Sequence, residues 1–132
     1  MSEQISLARP YAKAVFELAR DSGEYAQWSS ELEFLANVTA DPDIISLINN
    51  PEVSKEQLVE LILDVGKSQL SEQGCNLVKL LAHNNRLPVV IDINQQYLVL
   101  RDEAEQVIEA QLITAAEVDQ EQKQRIEAAL SS

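Results

Sequence analysis

The sequence of 132 residues has few of the residues that build turn-rich or cross-linked folds: one cysteine, three glycines and four prolines. A single cysteine excludes an internal disulfide and fits a reducing compartment. Few glycines and prolines favour long helices over a β-fold with many tight turns. One histidine and one cysteine are too few for the usual zinc sites, and the absence of any Glu-x-x-His pair excludes a carboxylate-bridged di-iron bundle.

Basic residues are also scarce, at 10 against 22 acidic ones, and the formal net charge is −12. A surface of this charge repels the phosphates of nucleic acids and anionic lipids, so we expect binding to neither. No apolar run reaches the ~18 residues of a membrane span, so direct membrane insertion is not expected. The N-terminal residues have neither the apolar core of a signal peptide nor the character of a transit peptide, which predicts a protein of the cytoplasm.

Candidate catalytic residues are equally sparse. The one possible base, His83, falls on the polar face of a predicted helix beside Lys79. The tripeptide Gly66-Lys67-Ser68 matches the end of a phosphate-binding loop, but Leu61 stands where that motif needs a glycine. We therefore predict no catalytic residue, no cofactor and no metal site, and we do not expect an enzyme.

What the sequence has in abundance is apolar residues at helical spacing. Asp41-Pro42 is a helix start signal, and Ser54 to Gln57 matches a capping box. Gly23 is the expected end of the first helix, and Pro10 suits its first turn. The six predicted helices cover residues 8–23, 24–39, 41–49, 54–66, 71–85 and about 87–103.

The pattern changes after Gln106. Apolar residues at Ile108, Ala110 and Leu112 alternate roughly with polar ones, which indicates a strand over residues 108–114. Asp119 then caps a predicted helix that runs to the end of the sequence. Because an unpaired strand is not a stable unit, we interpret residues 1–105 as a helical bundle and residues 106–132 as the incomplete beginning of a second domain that need not be folded.

Two of the six predicted helices carry more apolar surface than one core requires. On a helical wheel the apolar arc covers roughly 200° in the first helix and roughly 220° in the fifth, whereas a stripe somewhat over ~100° suffices for a surface helix. Side by side, such helices would form a shallow apolar groove for an amphipathic helix of a partner. The alternative is that both helices lie centrally and are buried on two sides. The first helix also carries a short cationic strip of Arg9, Lys13 and Arg20.

The segment Ala8-Arg9-Pro10-Tyr11-Ala12-Lys13-Ala14-Val15-Phe16 closely resembles the N-terminal signature of the ATP synthase delta subunit family. The mitochondrial counterpart in that family is the oligomycin-sensitivity-conferring protein. The segments 81–87, 97–101 and 110–122 are similar to later parts of the family pattern, with Thr114-Ala115 where the family commonly has Ser-Ala.

This resemblance implies an all-α, six-helix N-terminal bundle followed by a truncated start, one strand and one helix, of an α/β C-terminal domain. It implies a non-catalytic stator subunit of the F-type ATP synthase, peripheral on the cytoplasmic face of the bacterial inner membrane and monomeric when isolated. The implied partners are the N-terminal helix of an alpha subunit, held between the first and fifth helices, and the peripheral-stalk b subunits, bound through the missing C-terminal domain. The alternative function is a stand-alone cytoplasmic helical adaptor. The partner-binding candidates are Ala8, Tyr11, Ala12, Val15, Leu77, Val78, Leu81 and Ala82.

Overall fold

The computed structural model describes residues 2–131, and over this range it contains six α-helices and one 3-10 helix. The chain divides into two compact units, one ending at Leu100 and one beginning at Arg101. The predicted all-α class with six helices is confirmed. The helices are α1 (Ser2–Ser22), α2 (Tyr25–Ala40), α3 (Pro42–Ile48), α4 (Lys55–Val65), α5 (Glu72–His83) and α6 (Val90–Ser131), with the 3-10 helix Leu87–Val89 directly before α6.

Side chains cap the helices where the sequence predicts them to. The Asp41 carboxylate accepts a hydrogen bond from the Asp43 amide at 2.8 Å and caps α3. Ser54 and Gln57 form the reciprocal capping box of α4, which satisfies two amides that have no partner within the helix. Gly23 follows α1 with a φ of 71°, a conformation that glycine adopts without a steric penalty.

Helix α1 begins at Ser2, earlier than predicted, and Pro10 therefore lies inside the helix rather than in its first turn. A proline there removes one backbone hydrogen bond and crowds the preceding turn. Tertiary contacts hold that turn in place, since Ala8 is fully buried and the Gln96 side-chain amide donates to the Ile5 carbonyl at 2.8 Å. The prediction was wrong because it placed proline where it costs least and ignored these contacts.

The first unit is built around one hydrophobic core. Its largest fully buried side chains include Trp28 and Tyr97, and the Tyr97 hydroxyl donates to the Tyr25 carbonyl at 2.7 Å. Full burial of one large apolar side chain stabilises a fold by about 1.5–3 kcal/mol. The core takes residues from five of the six α-helices and from the 3-10 helix: Ala8, Ala12, Val15, Ala19, Trp28, Leu32, Leu35, Leu58, Ile62, Leu77, Val78, Leu81, Ala82, Leu87, Val89, Val90, Ile93 and Tyr97.

The second unit, as far as Ser131, is helical, so the strand predicted over residues 108–114 is wrong. A strand needs a partner, whereas a helix closes its hydrogen bonds within the segment. The Ala-, Glu- and Gln-rich sequence also favours a helix, and the predicted helix from Asp119 onward is present. Most side chains here are exposed, including Leu112 at 66% and Leu130 at 82%. The domain boundary after residue 105 stays a prediction.

Candidate helix-binding cleft between α1 and α5

A cleft of about 320 Å³ lies between α1 and α5. It is lined by four residues from each helix, and the buried indole of Trp28, from α2, forms its base. None of the nine lining side chains carries a formal charge, so the cleft is an uncharged, largely apolar surface. The lining residues are Tyr11, Ala14, Val15 and Leu18 of α1, Trp28 of α2, and Gln73, Asn76, Leu77 and Leu80 of α5.

Both walls of the cleft follow the same helical periodicity. The residues at positions 11, 14, 15 and 18 and those at 73, 76, 77 and 80 each have the spacing i, i+3, i+4, i+7. Side chains at this spacing lie on one face of a helix. Each helix thus presents a single stripe to the cleft, and the two stripes face each other.

Two large apolar side chains that line the cleft are exposed to water. Leu18 on one wall is 45% exposed and Leu80 on the other is 48% exposed. Ala14 is also exposed, and its small side chain leaves room between them. Apolar side chains grouped on facing walls are typical of a surface that binds a partner, whereas single exposed leucines need no explanation.

Hydrogen bonds fix the two ends of the α5 wall. Asn84, which follows the last turn of α5, donates from its side-chain amide to the Tyr11 hydroxyl at 3.0 Å and so connects the two walls. At the other end, the Ser71 hydroxyl caps α5 by accepting from the Gly74 amide at 3.2 Å. The α5 wall is therefore bonded to α1 at its C-terminal end and capped by a side chain at its N-terminal end.

The structure has a cleft between the two helices that the sequence singled out, but only some of the predicted residues line it. Tyr11, Val15 and Leu77 line the cleft. Two of these, Val15 and Leu77, also belong to the core. The other five candidates lie in the core with at most 4% of their surface exposed and do not line this cleft, and a role for them in partner binding stays a prediction. These five are Ala8, Ala12, Val78, Leu81 and Ala82.

The sequence prediction missed six of the nine cleft residues: Ala14, Leu18, Trp28, Gln73, Asn76 and Leu80. A usable signal was present in the wheels. In both helices the cleft residues lie at one edge of the wide apolar arc, next to the polar strip, whereas the centre of the arc faces the core. Where the apolar arc of a helix is wider than one core can cover, the residues at its edges are candidates for a second, partner-binding surface.

A second cleft, of about 650 Å³, lies on the other side of α1, against the part of α6 before Arg101. Its apolar residues include Ile5, Phe16 and Val99. The cationic strip predicted from the sequence lies here, interleaved with acidic residues. The charged lining residues are Arg9, Lys13, Glu17, Arg20 and Asp92. The wide apolar arc of α1 therefore faces the core at its centre and a cleft at each edge.

The candidate base His83 and the possible metal-ligating residues lie in the part of the chain that the structure describes. Over residues 2–131 no group of three His, Cys, Asp or Glu side chains is placed to hold a metal ion. His83 is exposed, and its backbone carbonyl accepts a hydrogen bond from the Lys55 ammonium at 3.1 Å. Within the same range, each helix is too short or too polar to cross a membrane.

Comparison with known proteins assigns the chain to a family. The family model described as ATP synthase delta (OSCP) subunit matches residues 7–132. The chain belongs to this family. A relative named ATP synthase subunit delta, from Alkalilimnicola ehrlichii, is 47% identical over 131 residues, which cover 98% of this chain and 73% of the relative. Relatives of the same name from Thioalkalivibrio sulfidiphilus and Aliivibrio fischeri (strain MJ11) are 40% and 39% identical; the matches cover 99% and 100% of this chain and 74% of each relative.

The family confirms two of the predictions made from the sequence. The resemblance carried by the segment Ala8 to Phe16 was to the correct family. Membership also makes the chain a structural, non-catalytic subunit of an ATP synthase and part of a peripheral membrane complex. The partner of the cleft is a separate question, which the family name leaves open.

Proposed function

We propose that the protein is a stator subunit of the F-type ATP synthase and holds the N-terminal helix of an alpha subunit in the cleft between α1 and α5. The observation that carries this proposal is the pair of matching, uncharged stripes with half-exposed Leu18 and Leu80 above Trp28. An amphipathic helix docks into such a groove through a row of its own apolar anchors at helical spacing.

The energetics favour an apolar partner. Leu18 and Leu80 each keep close to half of their surface in water, so covering each one would contribute about 1 kcal/mol, roughly half of a full burial. The anchors of the partner would contribute similar amounts. Ala14 allows the incoming helix to approach the α1 backbone closely, whereas a larger side chain there would fill the cleft.

The remaining parts of the proposal concern the whole subunit. Residues 1–105 form the bundle that binds the catalytic headpiece, and residues from 106 onward contribute to a C-terminal domain that contacts the peripheral-stalk b subunits. In this arrangement the subunit links the headpiece to the membrane sector from the cytoplasmic face of the bacterial inner membrane. The isolated chain is expected to be a monomer.

Calorimetric titration of the chain with a synthetic N-terminal segment of an alpha subunit tests the proposal. Trp28 provides a second readout, because it is the one tryptophan of the sequence and lies at the base of the cleft. We expect saturable binding with a matching change in indole fluorescence. Absence of both signals would overturn the alpha-subunit proposal and would favour an adaptor with another helical partner.

A matched pair of variants locates the binding site. Leu80→Asp places a carboxylate on the cleft wall, whereas Leu98→Asp places one at a leucine outside the cleft with nearly equal exposure, 46% against 48%. Since burying an unpaired charge is costly, we expect Leu80→Asp to weaken binding by about a hundredfold, the equivalent of about 2.7 kcal/mol. Leu98→Asp should leave the affinity within about twofold. Equal effects of the two variants would place the site elsewhere.

A further inference from the structure

We infer that Glu31 is a positioning residue for the cleft: its buried carboxylate holds the first turn of α5, and with it one cleft wall, in place against α2. This inference rests on the proposed function for its consequence in binding, but the contact itself is independent of any partner. Glu31 lies on α2 and is 1% exposed. An acidic side chain is almost never buried to this extent unless it is paired.

The carboxylate is satisfied by the start of α5. Its Oε1 atom accepts from the Ser71 backbone amide at 2.6 Å, and the Ser71 hydroxyl lies 2.8 Å from Oε1 and 3.0 Å from Oε2. That hydroxyl accepts in turn from the Gly74 amide at 3.2 Å. Glu31 is thus bonded to the residue that caps α5, 40 positions later in the chain.

Gly74 shows how closely the two helices approach here. A Cβ atom at this position would collide with Oε1 of Glu31. The glycine therefore gives the carboxylate its space, and a side chain there would displace either Glu31 or the first turn of α5. Glycine is otherwise unfavourable inside a helix, so its presence in α5 has a local reason.

The electrostatics explain why a carboxylate is suited to this position. A buried charge is tolerated only when hydrogen bonds replace its water. The N-terminus of a helix offers unpaired amides and a partial positive charge, which together favour an anion. Both the amide and the hydroxyl that bond to the carboxylate belong to Ser71, so the bonds form only at one axial position of α5 relative to α2. The carboxylate therefore fixes the position of α5 along α2.

The caps of α3 and α4 differ from the cap of α5, because in the described part of the chain they form no hydrogen bond to a neighbouring helix. The Asp41 cap and the Ser54–Gln57 capping box each bond within their own chain segment. Such local caps stabilise a helix without fixing it to a neighbour. The cap of α5 is tied to another helix, and the cleft residue Gln73 follows Ser71 by two positions. A shift of this first turn would carry the cleft-facing side chains of α5 with it.

The experiment compares Glu31→Ala, Glu31→Gln and a control variant in the full chain, titrated with the synthetic alpha-subunit segment. The control is Thr39→Val, because Thr39 is also buried on α2 but donates only within its own helix, to Leu35 at 2.9 Å and Ala36 at 3.2 Å. We expect Glu31→Ala to weaken binding about tenfold. Glu31→Gln should weaken it less, because an amide oxygen still accepts. Thr39→Val should stay within about twofold even where it lowers the melting temperature.

Amide hydrogen exchange gives a readout that needs no peptide. We expect Glu31→Ala to speed exchange in residues 73–77 of α5 and to leave the first turn of α4 unchanged. Gly74→Ala should lower the melting temperature in the wild-type background and much less in the Glu31→Ala background, where the collision is gone. If the wild type fails to bind the peptide, the proposed function fails, and the exchange result alone still decides this inference. Unchanged exchange, or equal losses of affinity for Glu31→Ala and Thr39→Val, would overturn it.

Discussion

The two clefts that flank α1 share a helix but differ in what they offer a partner. The α1–α5 cleft, at about 320 Å³, is the smaller, and its lining carries no charged side chain. The α1–α6 cleft is about 650 Å³, and its lining includes five charged residues of both signs. The larger cleft is therefore the less suitable one for an apolar helix, and the chemical character of the lining is a better criterion than the cleft volume.

The difference follows from desolvation. A helix laid in the α1–α5 cleft would cover apolar side chains, a tyrosine and the amides of Gln73 and Asn76, which need hydrogen-bond partners but carry no charge. A helix laid in the α1–α6 cleft would also cover charged groups, whose loss of water must be matched by well-placed partners. Residues at the two edges of one apolar arc can therefore differ in role: one edge of α1 is suited to docking a helix, whereas the other lies beside charged groups that stay hydrated.

The largest expected effect comes from the strip of α1 that lies between the two clefts. Ala12 is 1% exposed, so Ala12→Asp buries an unpaired carboxylate in the core. We expect it to lower the free energy of unfolding by about 3 kcal/mol or more, as measured by urea denaturation. Binding should be lost through unfolding of the bundle, which destroys both clefts.

Ala14→Asp is the matched control for that variant. It changes the same residue type on the same helix, but Ala14 is exposed and lines the α1–α5 cleft. We expect stability within about 0.5 kcal/mol of the wild type, with weaker peptide binding. Equal destabilisation by the two variants would mean that the cleft face of α1 is part of the core.

An intermediate effect should separate the two clefts directly. Leu18 and Ile5 lie on α1, one in each cleft, and both are 45% exposed. Leu18→Ala removes about 1 kcal/mol of apolar contact with a docked helix, which corresponds to about a fivefold loss of affinity for the alpha-subunit segment. Ile5→Ala should change that affinity by less than about twofold. The reverse ranking in a calorimetric titration would assign the helix to the α1–α6 cleft.

The smallest expected effect concerns salt. Because the lining of the α1–α5 cleft is uncharged, raising the ionic strength from about 0.05 M to about 0.5 M should change the affinity by less than about threefold. Arg9→Gln and Lys13→Gln, in the other cleft, should leave this weak dependence unaltered. A steep salt dependence that either substitution abolishes would show that the cationic strip takes part in binding.

Local signals in the sequence predict much of this fold. Asp41, Ser54 and Ser71 cap their helices because capping depends on residues three positions apart or fewer. Pro10 and residues 108–114 were misjudged for a common reason: each was assessed in isolation. In the structure, tertiary contacts retain the proline inside α1, and a helix satisfies the backbone of residues 108–114 without the partner that a strand would need.

The candidate site was predictable as a pair of helices but not as a set of residues. The wheels place Leu18 and Leu80 at an edge of the apolar arc, next to the polar strip, but a wheel alone does not show what either edge of the arc meets. The prediction did not separate the edge of the arc from its centre, and it therefore listed the core residues Ala12 and Val78 and omitted Leu18 and Leu80. Glu31 gave no signal at all, because an acidic residue on a helix is usually solvated and its partner, Ser71, is 40 residues away.

The hydrogen bond from Asn84 to Tyr11 gives the α1–α5 cleft a direction. It joins the two walls beside the C-terminus of α5. The hydrogen bond at the other end, near Gln73, lies within α5 and does not join the walls. A helix docked in the cleft would therefore lie beside a polar bridge between the two walls at one end of the cleft, and the bridge gives the cleft two chemically different ends.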